Sequence, residues 1–302
     1  MKRGVWLLLT LLLAGCGSGG LQQRQGYSVD TRHAALGARP RIKSVVIHYT
    51  AEDLPSSLAT LTDNAVSVHY LIPAHPSRHR GTPLILQLVP EEQLAWHAGA
   101  SYWRGATRLN DTSVGVELVN AGYRYTPQGR QFYPFAPQQI DALLPLLRDL
   151  TQRYDIEPQN IVGHSDIAPQ RKQDPGPRFP WAQLAAQGIG AWPEGSRVKA
   201  LLQGRDPHQP VEQEALLALL ACYGYQVDAA LTPTERQNLI AAFQMHFRPA
   251  DYRGLADAET LAIAQALVEK YGGWKRHVTV PRGKPSTGQP PAVARRDRHP
   301  DG

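Results

Sequence analysis

Cysteine is scarce: Cys16 and Cys222 are the two present in 302 residues, and the first stands in a segment that does not belong to the fold. A disulfide framework is thereby excluded. No apolar run reaches the ~20 residues that a membrane-spanning helix needs. No basic stretch interleaved with aromatic residues and no nucleic-acid-binding motif occurs, so the formal net charge of +6 does not point to nucleic acid. Part of that charge comes from Arg295, Arg296 and Arg298 in a terminal stretch of Pro, Gly, Arg and Asp. There is no internal repeat, and no heptad seam or spare apolar stripe that calls for a second subunit, so a monomer is expected.

What is present is enough to bury a full core, with 42% hydrophobic and 19% charged residues. The length exceeds the usual ~100–200 residues of one domain, which suggests a large domain and a smaller one. The chain opens with Met1-Lys2-Arg3, a short apolar run at 5–13, and Leu13-Ala14-Gly15-Cys16. A basic start, a short apolar core and small residues at the cut describe a signal peptide. Leu-Ala-Gly-Cys resembles the bacterial lipobox, which implies lipidation of Cys16 and a membrane anchor. At ~0.8 kcal/mol per buried methylene, more than one acyl chain makes such an anchor stable. Gly17 and Ser18 follow, with no Asp, a pattern similar to that of Gram-negative lipoproteins sorted to the periplasmic face of the outer membrane. Residues 17–39, rich in Gly, Gln and Arg, read as a flexible tether.

The body begins at residues 42–49 (IKSVVIHY), a β-branched run that delivers a histidine to its end as a buried strand does. Further strands are expected at 67–72, 84–89, 113–119 and 160–163, and a helix at 137–154, where Ile140, Leu143, Leu144, Leu147 and Leu150 share one face. Pro145 inside that helix is a candidate bend. Strands and helices in this order imply an α/β (α+β) fold, a mixed central sheet flanked by helices, over residues 40–195. Beyond Trp192-Pro193 the pattern turns helical, with amphipathic stretches near 213–223, 234–247 and 257–271, implying a small all-α domain over 196–274. Residues 275–302 lack any apolar period and are expected to be disordered.

The chemistry concentrates in His164-Ser165-Asp166-Ile167-Ala168-Pro169-Gln170-Arg171-Lys172-Gln173-Asp174-Pro175-Gly176-Pro177, which joins a strand-end histidine to an aspartate braced by Pro-Gly. Catalytic zinc takes three protein ligands from His and Asp or Glu and leaves a fourth position open. His48, at the end of another strand, can supply the remaining nitrogen. Each of these histidines alone reads as an ordinary hydrogen-bonded residue. In 113–119, strand alternation sets Val114, Val116 and Leu118 on one face and Gly115, Glu117 and Val119 on the other. A glutamate in so apolar a strand is costly unless paired or functional.

Five ordered stretches, VVIHYT at 45–50, VSVHYLIP at 66–73, AWHAG at 95–99, SVGVELVN at 113–120 and GHSDIAPQRKQDPGP at 163–177, resemble the zinc-dependent N-acetylmuramoyl-L-alanine amidases of type 2. The resemblance implies that His48, His164 and Asp174 hold Zn2+ and that Glu117 activates the water and passes its proton to the leaving amine. It further implies that Lys172 assists the oxyanion, and that the bond cleaved joins muramic acid to L-alanine in peptidoglycan or muropeptides. AWHAG would lie beside the substrate, so Trp96 and His97 are expected to line the peptide groove. His69 is a weaker candidate for the cleft, and equally a satisfied structural histidine; His75 and His79 receive no role. The helical segment resembles the three-helix peptidoglycan-binding module through residues 220–227 and 242–244, with Cys222 expected to be a small buried residue. Two other classes use the same features: a recognition protein without catalysis, and a lipoprotein that ties membrane to wall.

Overall fold

The computed structural model describes residues 20–272. The signal peptide, Cys16 and the segment at 275–302 therefore lie outside the described residues. The chain divides into two compact units, residues 1–40 and 41–302. In the first, where a flexible tether was expected, β1 (Leu21–Arg24) pairs antiparallel with β2 (Tyr27–Asp30), closing through Gly26 at φ 82°. The pair has no buried face, so no apolar alternation announces it.

The second unit runs β3 (Ser44–Tyr49), α1 (Leu54–Leu61), β4 (Tyr70–Ile72), the two-residue strands β5 (Arg78–His79), β6 (Thr82–Pro83) and β7 (Leu86–Gln87), then β8 (Ser113–Leu118). The hairpin β9 (Tyr123–Thr126) and β10 (Gly129–Phe132) follows, then α2 (Pro137–Tyr154), β11 (Ile161–Gly163), α3 (His164–Ile167) and α4 (Trp181–Ala186). It closes with α5 (Gly195–Leu202), α6 (Gln213–Tyr223), α7 (Pro233–Phe247) and α8 (Ala258–Tyr271). Among the described residues no helix is long and apolar enough to cross a membrane.

The central sheet has the order β11-β3-β8-β4-β7; its first four strands are parallel and β7 is antiparallel. Alternation splits the sheet's side chains between two layers. Val45, Ile47, Val114, Val116 and Ile161 share a buried cluster with Ile140, Leu143, Leu147 and Leu150 of α2. α2 runs unbroken through the exposed Pro145 and stops at Asp155, whose left-handed conformation turns its N–H onto the Thr151 carbonyl. Val46 and Val162 face the other way, into a cluster with Leu216, Leu220, Leu239, Phe243 and Leu267 of the C-terminal helices. At ~1.5–3 kcal/mol for each fully buried large apolar side chain, this shared core is a substantial part of the fold.

Among the described residues four helices, not three, make up the C-terminal portion. α5, which the sequence reading did not single out, is eight residues long and buries none of them fully. β4 and β7 are shorter than the apolar runs that suggest them; ahead of β4 the Ser67 N–H donates to the Trp96 carbonyl in a loop, and the His69 carbonyl accepts the Leu88 N–H just after β7.

The loop after β7 is fixed by Glu91, 8% exposed, which accepts two bonds from Arg153 at 2.6 and 2.8 Å and one each from the Tyr70 and Tyr154 hydroxyls. The Arg153 guanidinium, aided by the tyrosine hydroxyls against burial, holds the Glu91 carboxyl down to about 2. A carboxyl lowered on folding stabilises the protein above its ordinary range, and that contribution fades as pH falls toward about 2. Arg153 is 42% exposed, so solvent screening reduces the effect to about 1–2 kcal/mol. Glu91→Gln should therefore flatten the fall in urea midpoint between about pH 5 and pH 2; an unchanged slope would remove Glu91 from the acid response.

Candidate metal centre and cleft

The carboxyl ends of three neighbouring parallel strands converge on one point. β3 ends with His48 and Tyr49, β8 carries Glu117 directly beside His48 in register, and β11 leads straight into His164. Asp174 arrives on the following loop, whose carbonyl accepts the Ser165 N–H at 2.8 Å. The loop can lie this close because residue 163 is glycine: a Cβ there would stand 2.6 Å from Pro175 Cδ.

Three donor atoms form a nearly equilateral triangle. His48 Nδ1 is 2.9 Å from His164 Nδ1 and 3.0 Å from Asp174 Oδ2, and His164 Nδ1 is 3.1 Å from the same oxygen. All three residues are buried. Two ring nitrogens that face each other and one carboxylate oxygen cannot all be satisfied by protons held between them. A cation satisfies all three at once, and two nitrogens with one oxygen is a donor set that suits zinc. Burial, then the neighbouring His164, pushes His48 down to about 4, so its ring is neutral near pH 7, the form that ligates.

Glu117 has its Oε2 buried without a hydrogen-bond partner. Burial pushes its carboxyl well above the ordinary range; the Asp174 charge adds to this and the Lys172 charge opposes it. Glu117, Lys172, Trp96 and the three donors line one cleft of about 570 Å³. Trp96 stands on its rim, 60% exposed. Arg130 of the β9–β10 hairpin also reaches the wall, a residue that no motif marks.

His69 does not line the cleft: it is buried, its Nδ1 accepts the Gly115 N–H at 3.0 Å and its Nε2 donates to the Gln93 carbonyl at 3.1 Å, so it is the satisfied structural histidine. His97 borders the cleft but is 9% exposed, and both its nitrogens are engaged, Nδ1 with His48 and Nε2 with Ser113. It is not free to hold a peptide. Cys222 is half-buried and unpaired rather than a core residue. A second convergent group, His208, Asp251 and Asp257, already has its carboxylates matched by Arg253 at 2.7 Å and Arg248 at 2.8 Å.

Residues 38–177 match the N-acetylmuramoyl-L-alanine amidase family. The chain is 61% identical over 274 residues to the N-acetylmuramoyl-L-alanine amidase AmiD of Escherichia coli, covering 90% of this chain and 99% of that protein. The 1,6-anhydro-N-acetylmuramyl-L-alanine amidase AmpD of E. coli is 40% identical over 119 residues, 39% of this chain and 56% of its own length. Among solved structures, the complex of E. coli AmiD with anhydro-N-acetylmuramic acid-L-Ala-D-gamma-Glu-L-Lys superposes with a TM-score of 0.82 at 61% identity, over 84% of this chain and 99% of that one. AmpDh3 of Pseudomonas aeruginosa, in complex with anhydromuramic pentapeptide, gives 0.73 at 40% identity, over 80% of this chain and 97% of that one.

Proposed function

The chain belongs to the N-acetylmuramoyl-L-alanine amidase family, and from that premise we propose that it hydrolyses the amide between N-acetylmuramic acid and L-alanine, using a zinc ion held by His48, His164 and Asp174. One observation carries the reading: a triangle of three donor atoms lies beside an in-register glutamate whose buried oxygen has no partner. That is a metal seat with a proton acceptor next to it. The muropeptides seen bound to AmiD and AmpDh3 support fragments of this class, with an anhydromuramoyl end and a short stem peptide, as substrates.

Bound zinc supplies a Lewis acid that polarises the scissile carbonyl and lowers the pKa of water toward about 7. The protein does the rest. Glu117 takes the proton of the attacking water and returns it to the nitrogen of L-alanine as the C–N bond breaks, so no covalent bond to the enzyme is needed. Burial raises its proton affinity, and the positive charge of a zinc ion held beside it would offset that rise, so that the carboxylate could take a proton and later give it up. Lys172 brings positive charge to the cleft wall where the carbonyl oxygen becomes negative. Trp96 offers an exposed aromatic face at the rim for the stem peptide or sugar. The Leu-Ala-Gly-Cys sequence supports a lipid anchor at Cys16 and work at the periplasmic face of the outer membrane, with the C-terminal helices available to peptidoglycan.

Purified protein incubated with an anhydromuropeptide should release a peptide with a free L-alanine amine. Release should stop with a zinc chelator and return when zinc is added in excess. Cleavage that persists after complete removal of metal would sink the zinc reading, and release of a different fragment would sink the assignment of the bond.

A further inference from the structure

The proposed zinc seat needs both ligand histidines to aim a bare Nδ1 at the metal. A neutral imidazole can carry its proton on either nitrogen, so the surroundings must choose. The choice can be followed outward from His48, hydrogen bond by hydrogen bond.

Ser113 Oγ lies 2.5 Å from the Leu109 carbonyl oxygen, which can only accept, so the hydroxyl proton is committed there. The same Oγ is 3.2 Å from His97 Nε2 and can only accept from it, which puts the His97 proton on Nε2. His97 has no carboxylate among its hydrogen-bond partners, and the rings of His48 and His69 stand 5.2 and 5.7 Å away. A second proton on it would be a buried, unpaired charge. Its Nδ1 is therefore bare and accepts from His48 Nε2 at 3.1 Å. The proton of His48 is thus on Nε2, and its Nδ1 lone pair points at His164 and Asp174.

A second arm does the same for His164. Its Nε2 is 3.2 Å from the Ala98 carbonyl, another pure acceptor, so Nε2 carries the proton and Nδ1 is bare. The two arms leave from adjacent residues, 97 and 98, and one side chain holds both: Asn110 Oδ1 accepts the N–H of His97 at 3.2 Å and of Ala98 at 2.7 Å. Space for the His97 ring is made by Gly115, where a Cβ would stand 2.5 Å from His97 Cγ. That glycine has an ordinary backbone conformation, so the ring beside it accounts for its lack of a side chain.

We infer that residues 97 and 98, held by Asn110 and Ser113, set the tautomers of both zinc histidines, and that His97 is a positioning residue for His48 rather than a contact for the substrate. The inference rests on the metal seat proposed above. It concerns where protons sit, not how many are bound. A ligand histidine whose outer nitrogen loses its partner typically holds its metal 10- to 100-fold less tightly.

Two measurements on the full-length protein test it. In the zinc-loaded protein, long-range 1H–15N correlations of the histidine rings should show His48, His97 and His164 each carrying a proton on Nε2; a proton on Nδ1 of His97, or none on Nε2 of His48, would overturn the inference. Zinc affinity, read by competition with a chelating dye, should fall about 10- to 100-fold in His97→Phe. His97→Asn, whose amide oxygen can stand in for Nδ1 as acceptor, should recover most of that loss. Gly115→Ala, which displaces the ring without removing it, should weaken zinc in the same direction. Wild-type affinity in a folded His97→Phe protein would overturn the inference, and if that variant does not fold, the ring spectra of the unmodified protein decide alone. His48→Ala separates the two levels. If it leaves zinc affinity intact, the metal seat itself is wrong; if it abolishes binding while His97→Phe changes nothing, the tautomer-setting role alone fails.

Discussion

Glu117→Gln should lower turnover of an anhydromuropeptide by about 10²- to 10⁴-fold, the range expected when a general base and acid is lost, while zinc still binds. Glutamine keeps the shape and can still accept a hydrogen bond, but it cannot take a proton from water and hand it to an amine. The fold should not suffer. Glu117 Oε2 makes no hydrogen bond, so the substitution breaks no bond at that atom, and it removes an ionisable group whose charged form burial disfavours. Melting temperature near pH 7 should accordingly be unchanged or higher. Metal content, melting temperature and turnover measured on one preparation check the argument. A variant that is folded, zinc-loaded and still fully active would remove Glu117 from the mechanism, and one that loses its zinc would make it part of the metal seat.

Local pattern drew attention to most of the groups proposed for the chemistry, and the family resemblance implied their roles. His48 ends a β-branched run, His164 follows a glycine at a strand end, Asp174 precedes Pro-Gly, and Glu117 interrupts an apolar strand. Strand alternation also set Val114, Val116 and Leu118 on one face, and that face packs under α2. The supporting groups were not legible. Asn110 and Ser113 are common polar residues, and their part in the site depends on loop 95–99 folding back across the sheet, which no periodicity encodes. His97 stood out as a histidine, but whether it meets substrate or another histidine is decided by the missing side chain at Gly115, a contact distant in sequence. α1 had a usable signal in Asp53, which caps it by accepting the Ser56 N–H at 2.9 Å just before Leu54-Pro55. The β9–β10 hairpin is mostly exposed, so its strands lack the alternation that reveals a half-buried sheet.

The division between the sheet and the C-terminal helices bears on the second large effect, expected at Asp166. This residue, 1% exposed, sits two positions after His164 and accepts three hydrogen bonds: from Gly163 N–H at 2.7 Å, from the Tyr225 hydroxyl at 2.5 Å and from His246 Nδ1 at 2.7 Å. The first holds the turn that presents His164. The other two come from the helical portion, Tyr225 just after α6 and His246 on α7, where the His246 ring also stacks on Trp181 at 3.8 Å. Asp166→Ala strands three buried donors at once, a loss of about 3–5 kcal/mol by analogy with breaking a buried ionic pair on one side. Against a total stability of ~5–15 kcal/mol that is a large fraction. Because the same carboxylate braces His164 and the helices, both should loosen together: the urea midpoint should fall, and zinc affinity should fall with it. Tyr225→Phe, which removes one donor and leaves the carboxylate its other two partners, should cost only about 1 kcal/mol. Equilibrium unfolding followed by both tryptophan fluorescence and far-ultraviolet circular dichroism reads the coupling directly. Coincident transitions in the unmodified protein, shifted together in Asp166→Ala, would mean that the sheet and the helices fold as one body around the metal seat. A transition that splits in two, with zinc affinity intact in Asp166→Ala, would mean that the helices are a separate module and that the contacts at Asp166 do not reach the site.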